Sequence, residues 1–229
     1  MTATTATRRR RAQRGSGEQL REDIVAAAKD LLAAARNADD VSIRAVAEAV
    51  GVTSPSIYLH FADKAALISA VVVDVFTELD AAMLAAAEGI DEPLGRLRAF
   101  GLAYVKFAID HPEHYRIAAM DPCPQPDVDE VFASSAFVHF NATVTECIEA
   151  GIFAPSEPLP VTLELWAAAH GIASLMIAKS YLPWGDKEAI ADRVLCSAAI
   201  GHAAADLLGG DPTSDQVLAW LNGQRPPLS

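Results

Sequence analysis

Apolar residues recur at spacings of three and four along most of the chain, beginning near residue 18. The first segment places them on one helical face: Leu20, Ile24, Ala27, Ala28, Leu31, Leu32 and Ala35. This period predicts an amphipathic α-helix, which the polar stretch 37–40 ends. No sustained alternation of apolar and polar residues follows, so the pattern favours helices over strands.

Three further helices are predicted before residue 90. Ser42 is the expected N-cap of a short helix that Gly51 ends. Thr53 is the expected N-cap of another short helix, which tolerates Pro55 in its first turn. A longer fourth helix covers about residues 63–87.

The remaining chain predicts six more helices, separated mostly by breaks rich in Gly and Pro. We place them near residues 94–110, 112–120, 128–150, 161–182, 187–208 and 214–222, with breaks at 121–126, 154–160, 183–185 and 209–212. The predicted fold is therefore all-α, with an N-terminal three-helix head joined by a linking helix to a larger helical body. We expect an arm at residues 1–17, the head at 18–64, the body at 65–222 and a tail at 223–229.

The composition fits a folded chain with a substantial core, since 52% of the 229 residues are hydrophobic. Charge, Gly or Pro interrupts the apolar segments before the roughly 18 to 20 residues that a membrane span requires, and no signal sequence opens the chain. We expect a cytoplasmic protein without a membrane segment. Cys123, Cys147 and Cys196 form no CxxC pair, so we expect reduced thiols.

One segment has the spacing of a helix-turn-helix: Val46-Ala47-x-x-x-Gly51-Val52-x-x-x-x-Ile57. The small Ala47 lets two helices approach, and Gly51 permits the backbone turn between them. The three larger apolar residues hold the crossing from inside. The spacing therefore predicts a DNA-binding motif.

The continuation of this segment is Ile57-Tyr58-x-His60-Phe61-x-x-Lys64-x-x-Leu67. Together with the preceding helix, it resembles the N-terminal domain of the tetracycline-repressor (TetR) family over about residues 18–68. The resemblance implies a homodimeric transcription repressor that binds double-stranded DNA at an inverted-repeat operator.

The resemblance also implies the residues of the head that contact DNA: Arg44, Thr53, Ser54, Ser56, Tyr58, His60 and Lys64. The segment 53–60 resembles the recognition helix, whose first hydroxyls would face bases or nearby phosphates. Tyr58, His60 and Lys64 match positions that contact the DNA backbone. Hydroxyls and cations suit phosphate oxygens. The alternative is that these side chains only pack, end a helix or face solvent.

Charge is distributed unevenly along a chain whose net charge is -12. Residues 1–64 hold 10 Lys and Arg against 8 Asp and Glu, whereas residues 65–229 hold 8 against 22. A mildly basic head on an acidic body suits a protein in which one surface alone approaches phosphates.

The first 17 residues contain five arginines and almost no large apolar side chain, so we expect this arm to be disordered when free. Its candidate contacts to the minor groove or to phosphates are Arg10, Arg11 and Arg14. The alternative is a solubilising tail.

Two patterns mark the body: His111-Pro112-Glu113-x-Tyr115-Arg116 and Trp166-x-x-x-His170-Gly171. They resemble a TetR subgroup with a Trp-His-Gly C-terminal domain. Trp166 and His170 are four residues apart and therefore share a helix face. Gly171 would let a neighbouring helix approach closely.

The helix at 161–182 is apolar nearly all round and must be covered on two sides. The helix at 187–208 presents small residues that suit tight packing. The pair resembles the helices that form a four-helix bundle across the two-fold axis of TetR dimers. Two recognition helices in successive major grooves, roughly 34 to 36 Å apart, would read an inverted repeat.

For a small-molecule effector we select body residues that are mostly apolar or aromatic: Phe100, Tyr104, Phe107, Met120, Phe137, Phe140, Asn141, Val144, Trp166 and His170. Few charges fall in these stretches, which favours a hydrophobic or amphipathic effector. The alternative for each residue is a place in the ordinary core.

The sequence contains no HExxH, GxSxG, phosphate-loop or dinucleotide-binding pattern. We therefore expect no metal, no cofactor and no enzymatic activity. The alternative function is that of a helical small-molecule-binding or catalytic protein whose head does not bind DNA.

Overall fold

The computed structural model describes residues 16–35, 38–120, 135–210 and 212–224. In these ranges the chain forms ten α-helices and no strand: α1 Ser16–Ala34, α2 Ile43–Val50, α3 Ser54–Ile57, α4 Lys64–Ala86, α5 Pro93–Asp110, α6 Pro112–Tyr115, α7 Ser135–Glu149, α8 Pro158–Ala178, α9 Lys187–Leu207 and α10 Ser214–Gln224. A 3₁₀ turn at Ala38–Asp40 precedes α2, and a π-helical turn at Arg116–Met120 follows α6. The predicted all-α class is confirmed.

The chain divides into two compact units, whose boundary falls between Asp74 and Val75, inside α4. We call the first unit the head and the second the body. The head contains α1 to α3 and the beginning of α4, and the body contains the end of α4 and all later helices. One continuous helix therefore links the two units, as the sequence predicts.

The helix-turn-helix of the head is closed by a polar cap at one end and a glycine at the other. The Ser42 hydroxyl accepts a hydrogen bond from the amide of Ala45 at 3.1 Å, which caps α2. Gly51 ends α2 with φ +77°, a left-handed conformation. Val46 and Ile57 are buried between the short helices. Both ends of α2 confirm the predicted caps.

A partly buried ion pair also holds the head together. Lys29 of α1 is 9% exposed, and its Nζ donates to Asp74 of α4 at 2.6 Å. A buried ammonium is costly without a partner, so this pair fixes α1 against the linking helix.

In the body, α8 packs against α5, α7 and α9, and α5 in turn packs against α6, α7 and α9. The buried face of α8 includes Val161, Leu165, Ile172 and Met176. By length and composition alone α8 could cross a membrane. Glu164 and Gly171 interrupt its apolar residues, in agreement with the sequence analysis. We interpret α8 as the core helix of the body, because three helices pack against it.

Several predicted segments of the body have different boundaries in the structure. The helix expected at 161–182 spans Pro158–Ala178. The break expected at 154–160 is shorter, since α8 begins at Pro158. Proline suits the first turn of a helix because the missing amide hydrogen has no partner there. The helix expected at 112–120 is α6 followed by the π-helical turn. The start of the helix expected at 128–150 lies outside the described residues.

The turn at Gly51 generates a stability prediction for the head. We expect Gly51→Ala to destabilise it by about 1–2 kcal/mol, because a side chain disfavours the left-handed conformation. An added Cβ would meet no described atom within 4 Å beyond the adjacent backbone, so we attribute the loss to backbone strain rather than to a steric clash. Urea unfolding followed by circular dichroism measures it.

The matched control is Gly17→Ala in α1, where the added Cβ also meets open space and φ is not positive. Alanine favours a helix over glycine, so this variant should lose no stability. Equal stabilities for the two variants would contradict the role of the turn.

Candidate DNA-binding and effector sites

The recognition segment of the head is shorter than predicted. A helix over 53–60 was expected, whereas α3 ends at Ile57. The next residues form a tight turn, in which the His60 amide donates to the Ile57 carbonyl at 2.9 Å. Thr53 is the N-cap by backbone conformation but makes no side-chain cap; its hydroxyl lies 3.0 Å from that of Ser56. The two hydroxyls satisfy each other, which explains the absent cap.

The side chains of this segment remain at the surface. Thr53 is exposed, and Ser54, Ser56 and His60 are partly exposed. Tyr58 is 54% exposed. These five residues therefore share one short, accessible stretch around α3.

Sequence reasoning missed Leu59, which lies within this stretch and is 85% exposed. With its neighbour Tyr58 it forms a small exposed apolar patch beside α3. The sequence motif left the position between Tyr58 and His60 without a role, and Leu59 occupies that position.

Both candidate cations of the described head are already paired with carboxyl-bearing residues. Arg44 Nε lies 2.8 Å from Glu48 Oε1, and this contact raises the pKa of the arginine. Lys64 Nζ donates to the backbone carbonyl of Asp39 at 3.3 Å, and it lies 3.8 Å from the side-chain Oδ1 of the same residue. A phosphate that binds here must compete with these partners.

A further cation, Arg21 of α1, was also missed. Its guanidinium lies 5.1 Å from the centroid of the Phe61 ring, a cation–π distance. Phe61 is buried. Arg10, Arg11 and Arg14 lie outside the described residues.

In the body, four predicted effector residues lie close together. Trp166 Nε1 donates to the Tyr104 hydroxyl at 3.1 Å, and the Phe137 ring meets Trp166 edge-on at 6.4 Å. His170 Nδ1 lies 3.4 Å from the same Tyr104 hydroxyl. The structure thus gathers residues of α5, α7 and α8 at one place.

Two residues that sequence reasoning did not select complete this group. The Tyr115 hydroxyl lies 3.0 Å from that of Tyr104 and 2.7 Å from His170 Nδ1. Ser174 Oγ lies 3.3 Å from His170 Nε2. We call Tyr104, Tyr115, Trp166, His170 and Ser174 the tyrosine–histidine cluster. The pattern at 111–116 contained Tyr115, but spacing alone did not show its partner.

Donor and acceptor chemistry fixes one hydrogen bond of this cluster. An indole N–H only donates, so the Tyr104 oxygen accepts from Trp166. One arrangement that satisfies the other groups has Tyr104 donating to Tyr115 and Tyr115 donating to His170 Nδ1, with the imidazole hydrogen on Nε2, facing Ser174.

Burial lowers the pKa of His170 and raises those of Tyr104 and Tyr115. Each shift disfavours the charged form. The cluster is therefore a chain of neutral hydrogen bonds.

The other predicted effector residues lie elsewhere. Phe100 and Val144 are fully packed in the core. The Phe107 ring lies against His111 at 5.0 Å. Met120 is 39% exposed at the end of the π-helical turn. Helical spacing identified apolar positions, but it did not distinguish residues of the packed core from residues of a candidate effector site.

Two α7 residues of the predicted effector set, Phe140 and Asn141, have neighbours outside the tyrosine–histidine cluster. Asn141 Oδ1 accepts a hydrogen bond from Thr162 at 2.9 Å. Phe140 lines a cavity between α5, α7, α8 and α9. Among the described residues, no group of three or more His, Cys, Asp or Glu side chains could hold a metal ion.

Two family models match the chain. The model of bacterial regulatory proteins of the tetR family matches residues 24–71, and the model of the tetracyclin repressor-like C-terminal domain matches residues 97–198. Together they cover well over half of the chain. The Trp-His-Gly subgroup stays a prediction, and no curated protein matches the chain significantly.

Solved structures share the fold. A protein of unknown function from Rhodococcus sp. RHA1 is 27% identical, with TM-score 0.67 over 80% of this chain and 95% of that one. A TetR family transcription regulator from Marinobacter aquaeolei VT8 is 17% identical, with TM-score 0.62 over 81% and 98%. RolR in complex with the ligand resorcinol is 16% identical, with TM-score 0.62 over 95% and 99%.

The tyrosine–histidine cluster generates a prediction. Tyr115→Phe removes the hydroxyl that lies 3.0 Å from the Tyr104 hydroxyl and 2.7 Å from His170 Nδ1, so His170 loses its shortest hydrogen bond in the cluster. We expect a loss of about 1–3 kcal/mol in the free energy of unfolding, measured in urea. Tyr181→Phe is the control, since Tyr181 is 77% exposed, and an equal loss in both variants would refute the cluster's contribution.

Proposed function

The chain belongs to the TetR family of bacterial regulatory proteins and is a DNA-binding transcriptional regulator; on that premise, we propose that it is a cytoplasmic repressor. In this proposal two copies bind an inverted-repeat operator through their heads, and a hydrophobic or amphipathic small molecule in the body releases them. The proposal assigns it no catalytic activity, no cofactor and no membrane partner.

The observation that carries the DNA-binding proposal is the accessible stretch around α3. Thr53, Ser54 and Ser56 would meet base edges or phosphates, since hydroxyls donate and accept hydrogen bonds. Tyr58 and His60 would contact the DNA backbone. The exposed Leu59 would lie against thymine methyl groups or sugars.

The cations of the head would have to exchange partners when DNA binds. Arg44 would leave Glu48, and Lys64 would leave Asp39, to bind phosphates. Each phosphate contact releases counterions and steepens the salt dependence of binding. Because each exchange breaks an existing pair, these cations add less affinity than free ones would. The arginines of the N-terminal arm would add a further contribution of the same kind.

Exposed apolar residues on α8 support the proposed dimer. Leu163 and Leu175 are 37% and 51% exposed, although α8 is the most apolar helix of the described chain. Between them, a Cβ added at Gly171 would meet no described atom within 4 Å outside the backbone of α8 itself. The close approach expected at Gly171 is therefore not made by the described part of one chain. A helix of a second copy would supply it and cover both leucines.

The tyrosine–histidine cluster supports the effector proposal. Trp166, His170 and Ser174 lie one turn apart along α8 and are partly exposed, so their face is accessible beside polar atoms. Because the cluster is neutral, it suits an effector with an aromatic body and a hydroxyl or carbonyl group. RolR, which shares the fold, was solved with the aromatic ligand resorcinol.

Selection of genomic fragments by the purified protein tests the DNA proposal. We expect enrichment of one inverted repeat, and we expect Lys64→Ala to weaken operator binding about tenfold. It should also flatten the salt slope by roughly 0.9 per protomer. Fluorescence anisotropy over a salt series measures both effects.

The control for this variant is Lys187→Ala, which removes the same charge from the body and should leave operator binding unchanged. The absence of any enriched repeat would instead support a head that does not bind DNA. Addition of candidate aromatic effectors to the bound complex tests release.

The proposed dimer generates a separate prediction. Leu175→Asp places a charge on the exposed face of α8, so we expect a monomer in sedimentation velocity with unchanged helical content. Its operator affinity should fall by at least about tenfold, since one head reads only half a site. Val138→Asp, at a 49% exposed position of α7, should remain a dimer. A dimeric Leu175→Asp variant would exclude this face.

A further inference from the structure

The last helix of the described chain, α10, buries none of its side chains. Its large apolar residues share one side of the helix at about 3.6 residues per turn: Val217, Leu218, Trp220 and Leu221. Leu218 and Leu221 are 56% and 40% exposed, and the other two are partly exposed. Ala219 and Asn222 lie on the opposite side. The helix therefore has an apolar face that its own protomer does not fully cover.

The length of α10 makes this lack of cover significant. The helix has 11 residues, and isolated helices shorter than about 12–15 residues are marginal in water. Its start is specified by a capping box, in which the Gln216 amide donates to Thr213 Oγ1 at 3.4 Å and the Thr213 amide donates to Gln216 Oε1 at 2.8 Å. A cap fixes where the helix begins, but most helical stability comes from packing of an apolar face.

The position of α10 in the chain separates it from the segments that the family models match. The second of these ends at residue 198. Gly209 and Gly210, with φ of +99° and +94°, separate α10 from α9. Both conformations favour glycine, so the chain turns sharply before α10 begins. The matched segments therefore assign this helix no role.

Other exposed apolar residues lie where α8 begins and α9 ends. His202 Nδ1 of α9 lies 2.8 Å from Glu164 Oε2 of α8, so these parts of the two helices are neighbours. Four large apolar side chains within five residues of this contact are exposed, at 45%, 37%, 67% and 79%: Leu159, Leu163, Ile200 and Leu207. Leu163 belongs to the α8 face that the proposed dimer covers. The exposed residues therefore continue that interface towards α10.

The charges of these segments decide which partner fits. α10 contains one charged residue, Asp215, so it offers no cation to the phosphates of a nucleic acid or a lipid surface. The body as a whole is acidic, which disfavours both partners. A second copy of this chain carries an exposed apolar surface of matching chemistry, and a two-fold dimer makes each such contact twice.

We propose that α10 is a clasp between protomers, whose apolar face docks on the start of α8 and the end of α9 of a second copy, beside Leu163 and Leu207. The inference rests on the proposed dimer, to which it adds one contact for each protomer. Docking covers the leucines of α10 and supplies the packing that so short a helix needs. The folding of α10 is therefore coupled to assembly.

Hydrogen exchange of the α10 amides, measured by mass spectrometry on the full chain, tests the assigned partner. We expect exchange at 214–224 to slow at least about tenfold when the protein is concentrated from monomer to dimer. It should stay fast in Leu175→Asp, the variant expected to be monomeric. Slow exchange in that monomer would place the docking within one chain and overturn the clasp, as would fast exchange in the parent dimer.

Sedimentation equilibrium over a dilution series measures what the clasp adds to the dimer. The double variant Leu218→Asp/Leu221→Asp places two charges on the apolar face of α10, so we expect the dimer dissociation constant to rise at least about tenfold. Ala219→Asp/Asn222→Asp adds the same charges to the opposite side and should dimerise as the parent does. Circular dichroism confirms that both variants are folded. Equal dissociation constants for the two variants would overturn the clasp and leave the α8 dimer in place, whereas a monomeric parent would overturn both.

Discussion

The need to cover α8 on nearly every side governs the architecture of the body. Among its 21 residues this helix contains one acidic residue, Glu164, and no Lys or Arg. Apolar side chains therefore lie on nearly all of its sides. Helices α5, α7 and α9 cover part of it, which explains why the body surrounds α8 rather than forming a layer beside it.

The other helices of one chain cover α8 incompletely. The apolar surface that stays exposed represents hydrophobic free energy that a single chain does not gain. Full burial of a leucine side chain contributes about 1.5–3 kcal/mol, and Leu163 and Leu175 realise only part of this. A second copy would recover the remainder from two leucines in each protomer. The same apolar character that builds the core thus favours self-association.

The sequence predicted most of the helices because periodicity and caps are local. Ser42 and Gly51 ended α2 where expected, since capping depends on neighbouring backbone groups. The length of α3 was wrong because the turn after Ile57 depends on hydrogen bonds that no periodicity encodes. The effector set was dispersed for a related reason: Phe100 and Tyr104 share a spacing, but only the partners on α6 and α8 distinguish a core ring from a hydrogen-bonding one.

The two candidate sites of the chain differ in how they treat charge, which bears on how each would select its partner. In the head, Arg44 and Lys64 are paired with exposed acidic residues. Exposed ion pairs are weak, so a phosphate could replace these partners at little cost. In the tyrosine–histidine cluster, burial disfavours every ionised form. A partner of this cluster would then be selected by hydrogen-bond geometry and by apolar contact, which fall off steeply with misfit. Since the body is also strongly acidic, nonspecific attraction to nucleic acid is weak over most of the chain, and electrostatic attraction to phosphates is confined to its N-terminal part.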